Sequence, residues 1–273
     1  MIQVDGCIYR FHGFSGGTSG DPVLLFLHGF MGSSADWAEV FSLLPSRLRA
    51  LALDLPGHGR TTVQSSSGKG CFTLSTVAQA IARWHAEQGW PPVILIGYSM
   101  GGRLALYLAL HHPEMARCVV LESASPGIQD AAERYRRRQR DEQLARELEQ
   151  DAFPRFLDRW YRQPLFASLR KHPVFPRLLQ QRQKNHPALL AQVLREMGAG
   201  SQPPLWDKLP LLKKPLLLLV GENDPKFRAI SEKMAKVTGR CTIKVIPDCG
   251  HNIHRENPGA FVQALREWIP WTP

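Results

Sequence analysis

Val93-Ile94-Leu95-Ile96-Gly97-Tyr98-Ser99-Met100-Gly101-Gly102-Arg103-Leu104-Ala105-Leu106-Tyr107-Leu108-Ala109-Leu110 is the stretch whose reading decides the fold. The four aliphatic residues at its head read as a fully buried strand, and the Leu/Ala run at its tail reads as a buried helix. Between them stands G-x-S-x-G, Gly97 to Gly101. A chain that passes from strand to helix within one residue needs small neighbours, and Gly97 and Gly101 supply them. Such a turn lifts the Ser99 hydroxyl to the end of a sheet, beside a helix N-terminus. The pentapeptide alone recurs by chance. Its strand–turn–helix setting marks Ser99 as a candidate nucleophile or base, against the plainer reading of a turn with a capping serine.

A reactive serine needs a base, and the base needs a group to orient it. Where this elbow occurs, the chain order runs serine, acid, histidine, each just past a strand. Leu216 to Val220 reads as a buried strand, followed by Gly221-Glu222-Asn223-Asp224-Pro225. Thr242 to Ile246 reads as the next, followed by Pro247-Asp248-Cys249-Gly250-His251. Asp224 and His251 therefore occupy the required places, with Glu222 and His254 as the alternatives within each loop. Two N–H donors should face the developing negative charge. The Met100 amide opens the elbow helix and is one. Phe30, in the loop after Val23 to Leu27, is the expected second. His28 in that loop is either a third polar group at the site or a structural tie.

At 273 residues and 44% hydrophobic, the chain can bury one large core. Strand-like segments at Cys7–Arg10, Val23–Leu27, Leu48–Leu53, Val93–Ile96, Cys118–Leu121, Leu216–Val220 and Thr242–Ile246 alternate with helical ones near 73–88, 227–237 and 259–268. A further helix starts at Ser34 with that serine as its N-cap, and Gly13 to Gly20 reads as turns. This alternation predicts an α/β fold, a mostly parallel sheet with helices on both faces. Residues 126–214 break it, with helical periodicity, several prolines and no strand. They are expected to form a helical lid beside Ser99, on a core made of 1–125 and 215–273.

Five cysteines without a C-x-x-C spacing are expected to be reduced thiols in a cytoplasmic protein, and no metal or cofactor is expected. No apolar run reaches the ~20 residues of a membrane span, and no secretory leader is evident. Net charge is +10, and the surplus is local. Residues 1–125 carry 8 basic and 8 acidic side chains, whereas 126–214 carry 18 and 10. The run Arg134-Tyr135-Arg136-Arg137-Arg138-Gln139-Arg140 would put Arg134, Arg137 and Arg138 on one helical face, with Asp141 one turn on. A solvated basic face is one reading of it. Nucleic acid is not expected, because aromatic interleaving is sparse and no binding module accompanies the run. Recognition of carboxylates on a small anionic substrate is the functional reading. Arg103 supports it, because it lies one helical turn from Ser99 on an apolar helix. A charge there without an anionic partner would be costly.

Several segments together resemble a known family. They are Tyr98-Ser99-Met100-Gly101-Gly102-Arg103, Leu121-Glu122-Ser123-Ala124-Ser125-Pro126-Gly127, Trp160-Tyr161-Arg162-Gln163-Pro164-Leu165-Phe166, Gly221-Glu222-Asn223-Asp224-Pro225-Lys226-Phe227 and Gly250-His251-Asn252-Ile253-His254-Arg255-Glu256-Asn257-Pro258. The family is 2-succinyl-6-hydroxy-2,4-cyclohexadiene-1-carboxylate synthase of the menaquinone and phylloquinone pathway, and the likeness runs from about Val23 to Pro258. The elbow, acid and histidine segments serve the whole α/β-hydrolase superfamily; the arginine after the elbow, the S-P-G lid entry and the W-Y-x-Q-P-L-F block are narrower. The resemblance implies an α/β-hydrolase fold and a lyase that eliminates pyruvate. Carried onto this chain, it implies a triad of Ser99, Asp224 and His251 and oxyanion amides at Phe30 and Met100. It further implies that Arg103, Arg137 and Arg182 hold carboxylates, while Tyr98 and Trp160 shape the pocket. Arg134, Arg136 and Arg138 remain alternatives to Arg137, and a packing role remains open for Trp160 and Phe166. A monomer is expected.

Overall fold

The computed structural model describes residues 1–17, 23–65 and 70–269. Its strands are β1 (Ile2–Val4), β2 (Cys7–Arg10), β3 (Gly13–Gly16), β4 (Val23–Leu27), β5 (Arg49–Leu53), β6 (Thr62–Ser65), β7 (Val93–Tyr98), β8 (Ala116–Glu122), β9 (Leu216–Gly221) and β10 (Cys241–Ile246). Seven of them form one sheet in the order β10-β9-β8-β7-β4-β5-β3, all parallel except β3, which runs antiparallel to β5. Continuous apolar runs make the central strands because both faces are covered. Leu24, Phe26, Ile94, Ile96, Leu217 and Leu219 point to one layer, where they meet Trp37, Phe261 and Leu265. Leu25, Leu27, Leu95, Val119, Leu121 and Leu218 point to the other, where they meet Val77, Ile81, Leu104 and Leu108.

The helices on the core are α1 (Ala38–Leu43), α2 (Leu74–Glu87) and α3 (Met100–His111). Between β8 and β9 come α4 (Ala131–Gln150), α5 (Phe153–Tyr161), α6 (Ala167–Lys171), α7 (Phe175–Arg182) and α8 (Pro187–Met197). After β9 follow α9 (Pro225–Val237), α10 (Ile253–Glu256) and α11 (Pro258–Trp268). No described helix is long and apolar enough to cross a membrane. The helices between β8 and β9 have their own apolar cluster, including Phe156, Leu157, Tyr161, Phe166, Leu178, Leu190 and Leu194. Met31, from the loop after β4, inserts into that cluster and joins this cap to the core. On the return path Leu205, Leu209 and Leu212 already pack in the main core, although they fall within 126–214. Entry and exit are laced by Leu205 N–H to the Pro126 carbonyl at 2.7 Å and Trp206 Nε1–H to the Gly127 carbonyl at 2.8 Å.

The expected opening strand Cys7–Arg10 forms as β2, in a small antiparallel sheet β1-β2-β6 beside the main one. Three expectations need correction. Part of the supposed turn region, Gly13–Gly16, is the edge strand β3, while Thr18 to Gly20 lie outside the described residues. Ser34 does not cap a helix. It begins a 3-10 turn, Ser34–Trp37, and its amide donates to Asp54 Oδ1 at 2.7 Å. Finally, the five cysteines are not all thiols: Cys7 and Cys71, 64 residues apart, are joined as a disulfide. Cys118, Cys241 and Cys249 are free, and burial pushes their thiols up to about 12, 11 and 12.

Candidate active site

β7 runs into α3 through Ser99, whose φ of +49° and ψ of −107° lie in a sparsely populated region. The turn closes so tightly that a Cβ on Gly97 would overlap the Gly101 carbonyl, and one on Gly101 would overlap the Leu27 and His28 backbone. Both small residues are therefore sterically required. Asp224 ends the β9 loop and serves two partners. Its Oδ1 accepts from the Phe227 amide at 3.3 Å, capping α9, and its Oδ2 accepts from His251 Nδ1–H at 2.7 Å. His251, at the end of the β10 loop, turns Nε2 toward Ser99 Oγ at 3.3 Å. Both His251 and Asp224 are buried. With Nδ1–H given to the carboxylate, Nε2 is left as the acceptor, so the hydroxyl proton has somewhere to go.

Neither alternative meets these conditions. His254 Nδ1–H donates to Glu122 Oε2 at 2.7 Å, and its ring stacks on Trp37. Glu222 is exposed and accepts the Asp248 amide at 3.1 Å.

The loop after β4 is built by two neutral histidines. Leu55 N–H donates to His28 Nε2 at 2.9 Å, so Nδ1–H of His28 donates to the Gly29 carbonyl at 2.7 Å. Met31 N–H donates to His58 Nε2 at 3.1 Å, and His58 Nδ1–H then donates to the Pro56 carbonyl. Burial lowers both imidazoles and keeps them uncharged. His28 is thus a structural tie, and His58 holds the residue just after Phe30. The Phe30 amide has no acceptor among the described residues, and Met100 starts α3, where first-turn amides have no helical acceptor. Phe30's ring packs on Trp160 at 5.2 Å and on His58 at 5.9 Å. Trp160 therefore forms an aromatic wall with Phe30, Phe156 and Phe166, and Phe166 also approaches His251. Tyr98 lies against both His251 and His254, with its phenol raised by burial and by Glu122.

The arginines separate into different roles. Arg103 projects from the first turn of α3, where its Nη1 donates to the Met197 carbonyl at 2.9 Å and to Gln202 Oε1 at 3.2 Å. Among the described residues no carboxylate pairs with it. Burial first, and Arg137 second, lower it to about 10, opposed by Asp141. Arg137 itself donates from Nε to Asp141 Oδ1 at 2.8 Å, leaving the rest of its fork free of described partners. Arg134 caps the carbonyls of Ile128 and Gln129, Arg138 reaches that of Gly200, and Arg136 is exposed. Arg182 departs from expectation. Its guanidinium makes a two-pronged pair with Asp36, at 2.9 and 2.7 Å, and Nε donates to the Tyr161 hydroxyl at 3.2 Å. Side-chain exposures are 4% and 2%, so its charge is spent inside the protein, bolting α7 to the core.

Sequence reasoning missed three contributors: Asp36, the buried Glu122–His254 pair, and Glu256. Each is an ordinary polar residue in sequence. Glu256 alone carried a signal, because it follows His251 by five residues in a segment that must fold back.

Comparisons with known proteins show the family and the fold. A family model described as the alpha/beta hydrolase family matches residues 24–264. The chain is 37% identical over 254 residues to 2-succinyl-6-hydroxy-2,4-cyclohexadiene-1-carboxylate synthase of Klebsiella pneumoniae (strain 342), covering 92% of this chain and 95% of that one. It is 31% identical over 283 residues to Protein PHYLLO, chloroplastic, of Arabidopsis thaliana, with 98% of this chain aligned but only 16% of that much longer protein spanned. A solved structure of MenH from S. aureus superposes with a TM-score of 0.85 at 33% identity, covering 94% of this chain and 96% of the other. The chain belongs to the 2-succinyl-6-hydroxy-2,4-cyclohexadiene-1-carboxylate synthase family of the α/β hydrolases.

Proposed function

We propose that this protein is a carbon–oxygen lyase. It eliminates pyruvate from 2-succinyl-5-enolpyruvyl-6-hydroxy-3-cyclohexene-1-carboxylate, giving 2-succinyl-6-hydroxy-2,4-cyclohexadiene-1-carboxylate for menaquinone or phylloquinone synthesis. Relatives that bear this name align over nearly their whole length. The observation in this chain that carries the reading is Arg103, a half-buried guanidinium one helical turn from Ser99 with no carboxylate partner among the described residues. A cation drawn partly out of water without an ion partner is unfavourable, and a substrate carboxylate would relieve it. Arg137, free on one edge of its fork, supplies a second cation nearby.

In the reaction, Ser99 Oγ takes the ring proton as its own proton passes to His251 Nε2, and Asp224 stabilises the imidazolium. The electron pair from the broken C2–H bond forms the C2=C3 double bond, the pair of the original C3=C4 bond moves to C4=C5, and the C5–O bond to the enolpyruvyl group breaks. Pyruvate departs as its enolate, which collects the proton. Negative charge delocalised onto the conjugated succinyl carbonyl rests on the Phe30 and Met100 amides. No water is consumed and no acyl-enzyme forms. We assign Tyr98 and Trp160 to the pocket wall, and read the protein as a monomer acting on an anionic small molecule. The test is incubation with the enolpyruvyl substrate in ¹⁸O-labelled water. Pyruvate released with no label in the ring product supports the lyase. A trapped acyl-serine would instead indicate a hydrolase of a carboxylate-bearing ester or C–C bond.

A further inference from the structure

The protein acceptors around Arg103 all meet one corner of its guanidinium. Nη1 donates to the Met197 carbonyl at 2.9 Å and to Gln202 Oε1 at 3.2 Å, whereas Nε and Nη2 meet no acceptor among the described residues. The Nε–Nη2 edge is a side of the fork that can grip a carboxylate with two parallel hydrogen bonds. The acceptors on Nη1 are a carbonyl from the last turn of α8 and a primary amide, and neither carries a full charge. Gln202 is buried, at 1% exposure. It stands 99 residues from Arg103, and its backbone N–H is tied to the Gly198 carbonyl at 3.1 Å. Its Nε2 donates to the Ser125 carbonyl at 3.4 Å. The side chain thus accepts at one end and donates at the other, which an amide does and a carboxylate does not. The same turn serves Arg137. The Gly200 amide donates to Asp141 Oδ2 at 2.9 Å, and Asp141 Oδ1 accepts from Arg137 Nε at 2.8 Å. Of these two cations, Arg137 is paired with a carboxylate of the protein, and Arg103 is held without being neutralised.

We propose that Gln202 is the positioning residue of Arg103 and sets the site's demand for an anion. It fixes the guanidinium with a neutral acceptor, and so leaves the charge and the Nε–Nη2 edge for a substrate carboxylate. The inference rests on the reading of Arg103 as a carboxylate receptor under the proposed function. A carboxylate at position 202 would neutralise Arg103 from within, as Asp36 neutralises Arg182. Removal of the amide would leave Nη1 on Met197 alone, and a long side chain with a single tie samples more rotamers.

The test is steady-state turnover of the enolpyruvyl substrate by the full-length chain, with KM and kcat read separately and thermal midpoints taken on the same samples. Gln202→Glu is expected to raise KM about 100-fold, because a neutralised cation attracts a carboxylate weakly. Gln202→Leu is expected to raise it about 10-fold, the size of one hydrogen bond to a charged group. In both, kcat stays within about threefold of wild type, since this contact is made alike in ground and transition states. In an Arg103→Met background the same substitutions change KM by less than about twofold, because Gln202 acts through Arg103. Calorimetric titration with succinate, a plain dicarboxylate, is expected to show the same order of affinity: wild type, then Gln202→Leu, then Gln202→Glu. Losses of equal size with and without Arg103, or an unchanged KM with a lowered midpoint, would make Gln202 merely structural and overturn the proposal. So would a loss confined to kcat. If Gln202→Leu does not fold, Gln202→Glu decides alone, because it keeps the size of the side chain and a wild-type KM there refutes the need for a neutral acceptor. A wild type that binds succinate in the expected order but releases no pyruvate removes the proposed function and leaves this inference standing. A wild type that releases pyruvate, with Gln202 variants that match it, removes the inference and leaves the function.

Discussion

Replacing Arg182 by Met separates two incompatible roles for one residue. As a substrate ligand, Arg182 would be dispensable for folding. As observed, it is a buried bolt, with its fork on Asp36 at 2.9 and 2.7 Å and its Nε on Tyr161. Arg182→Met leaves the Asp36 carboxylate buried and short of its main partner, a change that typically costs about 3–5 kcal/mol. Arg255, whose Nη1 donates to the Asp36 carbonyl, stays nearby and argues for the lower end. A second route gives a similar size. Burial would raise the Asp36 carboxyl, yet Arg182, backed by Arg255 and His254, holds it at about 2 against its ordinary 3.8. Nearly two units corresponds to roughly 2–3 kcal/mol. Because the folded value is the depressed one, this stabilisation is complete above pH 3.8 and is lost as pH falls toward 2. Urea unfolding followed by tryptophan fluorescence at pH 7 should show a midpoint lowered by about 1 M for Arg182→Met. The deficit of Asp36→Asn should narrow as pH drops below 4. The double variant Asp36→Asn/Arg182→Met should recover part of the loss, since no charge is then orphaned. A variant Arg182→Met as stable as wild type, with a KM raised tenfold, would refute this reasoning and return Arg182 to the substrate.

Ser99→Ala is expected to cut turnover by roughly 10³–10⁶ while substrate affinity barely moves, measured by pyruvate release and by calorimetry; retained turnover would exclude the serine. Arg103→Met should reduce kcat/KM by about 30-fold to several thousandfold, equivalent to about 2–5 kcal/mol, with stability equal or higher because a half-buried cation without an ion partner is gone. Equal kcat/KM would reject carboxylate recognition at that site. A reductant such as dithiothreitol should lower the thermal midpoint, since the Cys7–Cys71 link closes a long loop, contributing at most about 4 kcal/mol. A midpoint indifferent to reductant, and to Cys71→Ser, would show that the link contributes nothing.

The sheet, the elbow and the order of the reacting groups were legible in the amino-acid sequence because they rest on local chemistry. Runs such as Leu216–Val220 can only be buried, and the glycines around Ser99 leave no other turn. The acid and base could be assigned because a strand end carries its next few residues to one edge of the sheet. Short polar elements gave no such signal: β6 is Thr62–Ser65 and mostly exposed, and β3 rests on glycines.

Charged residues mark the limit of this legibility. Arg103 stands on an apolar helix one turn from Ser99, whereas Arg182 lies in the polar stretch Gln180-Gln181-Arg182-Gln183-Lys184 and is assigned to substrate only by the family resemblance. Only the folded chain decides that Asp36, 146 residues away, takes up Arg182 and that no carboxylate among the described residues pairs with Arg103. The same holds for Glu256, whose carboxylate accepts the hydroxyl of Ser168 on a helix 88 residues earlier. Strands and turns are set by neighbours along the chain, whose chemistry a reader can see. The partner of a buried charge is set by which distant segments share its low-dielectric surroundings, and packing alone establishes that.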